Sequence, residues 1–162
     1  MKNNKATFSK YLVSGVAALA LGAGMASSAS AAENGKFRVG IVTFLSGAAA
    51  GPFGVPSANA AKVLVEGLNK GELPAPYDKM GINGVEIEAV IIDEAGGATK
   101  QVEEYRNLVQ RQKVDAVIGY VSSGDCLAVA PVAEELKTFT IAYDCGTPRL
   151  FADNADAQYM FR

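Results

Sequence analysis

The sequence contains no histidine, no tryptophan and only two cysteines among its 162 residues. Without histidine, Ser-His-Asp and Cys-His nucleophile pairs, histidine acid–base catalysis and the usual zinc sites are excluded. An excess of positive charge is also missing. There are 15 Lys and Arg against 17 Asp and Glu, no basic block, and a pI near 5.2. That balance argues against nucleic acid or an anionic membrane as a partner. What is present is ordinary for a soluble globular protein: 49% apolar and 20% charged residues. The length suits one domain with a core of its own, or part of a larger two-lobed protein.

The first residues read as an export signal. Lys2, Lys5 and Lys10 form a basic start with no acidic residue, and residues 11–25 (YLVSGVAALALGAGM) are apolar or small. ASSASAAE follows, with an Ala-x-Ala end. This is the pattern of a secretory signal peptide over residues 1–32, cut after Ala31 or Ala32. The apolar run is shorter than the roughly twenty residues a bilayer span needs, so no membrane insertion is expected after cleavage. No cysteine lies near the cut, which disfavours lipid attachment. Losing three lysines leaves 12 basic and 17 acidic residues, a net charge of −5. The expected product, residues 33–162, is exported, acidic and in an oxidising compartment where Cys126 and Cys145 can pair.

From Lys36 onward, strand and helix signals alternate. Residues 37–44 (FRVGIVTF) read as a buried strand. A Gly/Ala/Pro-rich loop follows at 45–56, and Ser57 is expected to cap a helix ending at Gly71. After a Pro- and Gly-containing connection at 72–84, residues 85–93 (VEIEAVIID) form a second strand. Thr99 is expected to cap a helix running through Gln112, and residues 114–119 (VDAVIG) to form a third strand. A helix at 125–137, bent or restarted near Pro131, leads to a strand at 139–143. Residues 158–162 look like the start of a fifth strand. This order predicts an α/β fold, a doubly wound parallel sheet of Rossmann-like βαβ units. The last residues fall inside a strand, so the sequence is expected to be a fragment.

In such sheets ligands sit at the carboxyl ends of the strands, where strand order reverses. Four loops are placed there, at 45–56, 94–98, 120–124 and 144–149, all with Gly, Ser or Thr that let backbone N–H groups approach a ligand. The first is not a nucleotide loop: Gly47, Gly51 and Gly54 have the wrong spacing for G-x-G-x-x-G, and no Lys follows them for a P-loop. Phe53 stands at its tip. The third loop offers Ser122 and Ser123 at a helix N-terminus, which suits a carboxylate or another polar head group. Ser123 or Asp125 is equally readable as a plain helix cap. In the fourth loop, Asp144 can accept from a ligand amine or hydroxyl, or bond its own turn. Asp93 and Glu94 read as the end of a strand and the start of a turn, not as metal ligands. Cys126 and Cys145, 19 residues apart, are not a redox pair. They are open to either a disulfide between two ligand-facing loops or two buried thiols.

The ordered set VGIVTFLSGAAAGPFG, IIDEAGGATKQ, VDAVIGYVSSGDCLAVAPVAEE, IAYDCGTPRLF and QYMFR resembles the periplasmic solute-binding proteins of ABC importers. Within them it is most similar to the leucine/isoleucine/valine-binding family with the type I two-lobe fold. The resemblance runs from Lys36 to Arg162 and implies the first lobe, truncated at the crossover to a second lobe that is missing here. It further implies that Ser123 holds a ligand carboxylate, that Asp144 and Gly146 complete the pocket mainly through backbone groups, and that Phe53 packs on the ligand. An Asp-Cys-Gly stretch replaces the family's small and hydroxyl residues, leaving Thr147 as the nearest hydroxyl. The implied partners are a small polar or amphipathic ligand, such as a branched-chain amino acid or similar organic acid or amide, and an inner-membrane permease. No cofactor, no metal and no catalytic residue is expected, and the protein is expected to be a monomer. The readings from other classes are a periplasmic ligand sensor and an exported α/β enzyme, the latter lacking both a G-x-S-x-G elbow and a His base.

Overall fold

A computed structural model describes residues 35–162. The expected signal peptide at 1–32 lies outside the described residues. Five strands, β1 (Lys36–Thr43), β2 (Glu86–Asp93), β3 (Ala116–Gly119), β4 (Phe139–Ala142) and β5 (Met160–Phe161), form one sheet. Every pairing is parallel, in the order β2-β1-β3-β4-β5. Strand order therefore reverses at β1, whose neighbours are β2 on one side and β3 on the other. The β1 and β3 backbones meet closely there. A Cβ on Gly119 would lie 2.7 Å from the Cβ of Val42 and 2.8 Å from its amide nitrogen.

The helices divide the core into two layers. On one face, α2 (Gly97–Arg106), the turn that follows it and α3 (Ser123–Leu136) cover Val42 and Val117 with Tyr105, Leu108, Val129 and Ala133. The short helix α4 (Arg149–Ala152) adds Leu150 to this layer. Tyr105 and Thr140, both fully buried, satisfy one another across it at 2.6 Å. On the other face α1 (Val55–Lys70) packs Ala61, Val65 and Leu68 over Val39, Ile41 and Ile87. It reaches only part of that face. Phe139 of β4 and Phe161 of β5 stay exposed there, their rings 5.2 Å apart, beside an apolar groove of about 580 Å³ that also takes in Leu64 and Ile118.

Helix starts depart from the sequence reading. Ser57 does not cap α1. The chain enters it through a π-helical turn at Ala50–Gly54, Gly54 is the N-cap, and the Ser57 hydroxyl donates to the Phe53 carbonyl at 2.8 Å. Glycine is needed at 54 because a Cβ would run into the Phe44 carbonyl. Gly71 ends α1 in the left-handed conformation, as its position suggested. Thr99 does not cap α2 either. Gly96, at φ 115°, stands at that end with no side-chain cap, and the helix passes into a π-helical turn at Asn107–Arg111. Pro131 lies inside a single helix α3, with no restart.

Candidate functional site: the carboxyl edge of the sheet

The loops after β1, β3 and β4 leave adjacent strands, so the residues proposed from sequence share one edge at the switch point. Two consecutive carboxylates at the end of β2 organise that edge. Successive residues of a strand point in opposite directions, and here each acid reaches a different loop. Asp93 accepts from the Leu45 and Ala95 amides at 2.9 and 3.0 Å and from the Ser46 hydroxyl at 2.6 Å. Although partial burial works against ionisation, the Ser46 hydroxyl and the amides of Ala95, Leu45 and Ser46 hold its pKa at about 2.

Glu94 is fully buried. Its carboxylate accepts from the Val121 amide at 2.9 Å and the Ser122 amide at 2.7 Å. Burial raises its pKa, the two amides oppose that shift, and the negative charges of Asp125 and Asp144 add to it. The sequence reading, which took Glu94 as the start of a turn, missed this role. The only signal available was two acids in succession where a strand ends.

The serines divide their tasks. Ser122, not Ser123 or Asp125, is the N-cap of α3, and its side chain accepts from the Asp125 amide at 3.3 Å. Burial raises the pKa of Asp125, which the Ser122 hydroxyl partly offsets. Because Glu94 holds the Val121 and Ser122 amides and Ser122 holds that of Asp125, the open donors of this helix start are the amides of Ser123 and Gly124. Both residues are exposed. The Ser123 hydroxyl lies beside them and makes no hydrogen bond among the described residues, so it is free to donate outward.

Across the edge, Cys126 and Cys145 are joined as a disulfide, with Cα atoms 6.4 Å apart. Both are essentially unexposed. The bond brings the start of α3 beside the loop carrying Asp144, Gly146 and Thr147. Asp144 and Gly146 are exposed. The Thr147 hydroxyl accepts from the Arg149 amide at 3.2 Å, closing its own turn. Arg162 donates to the Cys145 and Thr147 carbonyls at 3.1 and 2.9 Å, which steadies the loop. Phe53 stands on the loop after β1 with its side chain half exposed. At the end of β4, Tyr143 hydrogen-bonds to Thr43 at 2.9 Å.

Such an edge offers backbone amides, one free hydroxyl and an aromatic ring, all on loops held by buried or bonded anchors. It is suited to holding a small molecule. Among the described residues no group of three or more acidic or cysteine side chains is arranged to hold a metal ion. No described helix is long and apolar enough to cross a membrane.

The family model for "Periplasmic binding protein" matches residues 36–162. The chain belongs to the periplasmic binding protein family. Among solved members, the branched-chain amino acid transporter substrate binding protein LivJ of Streptococcus pneumoniae, in complex with isoleucine, is 25% identical. Its TM-score is 0.65, and the match covers 78% of this chain and 33% of that one. A periplasmic binding protein of Burkholderia mallei is 22% identical with a TM-score of 0.67, over 80% of this chain and 32% of that one. A solute-binding protein of an ABC transporter from R. palustris, in complex with 4-hydroxybenzoate, shares the fold at 19% identity. Its TM-score is 0.59, over 77% of this chain and 30% of that one. No curated protein sequence matches the chain. The chain thus spans about a third of the length of these solved periplasmic binding proteins. Its five-stranded parallel sheet is that of one lobe of the type I fold.

Proposed function

We propose that this chain is the ligand-holding N-terminal lobe, residues 33–162, of the extracytoplasmic solute-binding component of an ABC importer. In this reading residues 1–32 direct export and are removed in the periplasm. The lobe binds a small carboxylate-bearing ligand, and the complex is delivered to an inner-membrane permease. The observation that carries the proposal is the start of α3. Two open amides, of Ser123 and Gly124, stand beside the free Ser123 hydroxyl at the sheet's switch point, where a helix N-terminus favours an anion. Gly146 supplies an exposed backbone, and Phe53 an aromatic surface, on the neighbouring loops. Isoleucine and 4-hydroxybenzoate, the ligands held by two relatives, share a carboxylate although the rest of each molecule differs. Asp144 fits only with its side chain turned from that carboxylate, or toward a cationic or hydroxyl group elsewhere on the ligand.

The test is calorimetric titration of the protein with L-isoleucine and 4-hydroxybenzoate. Ser123→Ala is expected to weaken whichever ligand binds by about 1–2 kcal/mol, the order of one net hydrogen bond. Its melting temperature should stay that of the wild type, because the hydroxyl has no partner among the described residues. Unchanged affinity in this variant would overturn the placement of the ligand carboxylate.

A further inference from the structure

We propose that Glu94 is the positioning residue of the ligand-holding loop: its buried carboxylate bridges from the end of β2 to the Val121 and Ser122 amides after β3, and so fixes which amides of the α3 start face the ligand. The proposal rests on the binding reading above for its consequence, although not for its geometry.

The bridge passes the end of β1, since β2 and β3 lie on opposite sides of that strand. It therefore spans the switch point itself. The backbone of Glu94 is fixed as well, its amide donating to the Thr43 carbonyl of β1 at 2.9 Å. The loop it holds needs holding. Tyr120 turns the chain out of β3 at φ 69°, a conformation that a bulky residue keeps only when its surroundings over-determine it. From below, the Tyr120 amide is tied to the Val42 carbonyl at 3.1 Å. From the other side, Glu94 takes the next two amides of the chain. An isolated buried carboxylate is costly, and these two charge-assisted hydrogen bonds are what keep it in place.

The selection of amides has a direct consequence. A helix start with all its first amides open would let an anion settle at several depths. With Val121 and Ser122 claimed by Glu94, and Asp125 by Ser122, a ligand carboxylate is confined to Ser123 and Gly124. The titratable groups facing Glu94 are Asp125 of α3, Asp144 of the loop after β4 and Tyr120 at the end of β3. None is cationic. Burial, with these charges added to it, moves Glu94 toward protonation at higher pH than an ordinary glutamate.

Two variants separate positioning from charge. Glu94→Asp keeps the charge and draws the acceptor back; Glu94→Gln keeps the reach and removes the charge. With L-isoleucine or 4-hydroxybenzoate as probe, positioning predicts that Glu94→Asp binds roughly tenfold more weakly than the wild type. A role in charge alone predicts wild-type affinity for Glu94→Asp and tighter binding for Glu94→Gln, and that result overturns the proposal. A readout independent of any ligand is the amide spectrum of the wild-type protein. The Val121 and Ser122 amide protons should shift together through one ionisation above the ordinary glutamate range, and their exchange should quicken by an order of magnitude or more in Glu94→Asp. If the two amides do not follow a common titration, the proposal fails even where every variant folds poorly. If neither probe binds while both amides do follow it, the positioning role stands and the binding reading is the part that falls.

Discussion

At the scale of single residues, Asp93 and Glu94 show how much two adjacent carboxylates can differ. Both accept backbone amides, yet Asp93 titrates at about 2 whereas burial moves Glu94 upward. Their linkage to stability has opposite signs. The folded pKa of Asp93 lies below its unfolded value, so its stabilisation is complete above an unfolded pKa near 4 and is lost as pH falls toward 2. For Glu94 the folded pKa is raised, so its contribution is present below the unfolded value and lost as pH rises through the folded one. Asp93→Asn should therefore flatten the fall in stability between about pH 4 and pH 2, measured as urea midpoints across pH. An unchanged acid limb would show that the bonds from Leu45, Ser46 and Ala95 do not set this carboxylate's ionisation. Neither role was legible in the sequence, where an Asp-Glu pair after VEIEAVII is indistinguishable from a strand end. What distinguishes them is the partner loop, and strand order, not local sequence, decides which loop each acid meets.

At the scale of elements, the apolar β-branched runs gave all five strands to within two residues at either end, because buried parallel strands carry their own signature. Helix starts were less legible. Ser57 and Thr99 are hydroxyl residues at plausible positions, but glycines that admit close packing or a left-handed turn took those places at Gly54 and Gly96. The π-helical turns and the four-residue α4 leave no periodic trace long enough to read. The α3 start shows why this matters for the site. Ser122 and Ser123 are neighbours of the same type, and the sequence reading weighed Ser123 and Asp125 as the cap. The structure gives the cap to Ser122 and leaves Ser123 outward. Ser122→Ala should consequently cost about 1 kcal/mol of stability in denaturant unfolding, whereas Ser123→Ala should cost none. Equal losses in the two variants would mean that the hydroxyls share the capping role and that Ser123 is not reserved for a ligand.

At the scale of the whole molecule, the two faces of the sheet are unequal. Parallel sheets are ordinarily covered on both faces, and here α2, α3 and α4 accomplish that on one side. On the other, α1 lies over β1 and β2 and leaves the β4 and β5 side open. Phe139 is 47% exposed, Phe161 45% and Leu64 54%, around a groove lined by Ile41, Ala116 and Ile118. A contiguous apolar surface of that kind is unusual on a soluble monomer. A fluorescent apolar probe such as anilinonaphthalene sulfonate should bind this chain in its folded state, at neutral pH and with an intact unfolding transition. That last condition separates an open face from a loosened core, which would also take up the dye. Phe139→Lys together with Leu64→Lys should remove most of the emission and leave the melting temperature nearly unchanged, because neither side chain is buried in the chain itself. Emission that survives both substitutions would place the dye elsewhere and show this face to be closed in solution. The carboxyl edge, in contrast, owes its order to Asp93, Glu94 and the Cys126–Cys145 bond, all anchored in the covered half or in the loops themselves. The substitutions on the open face should therefore leave ligand affinity at the edge as it was.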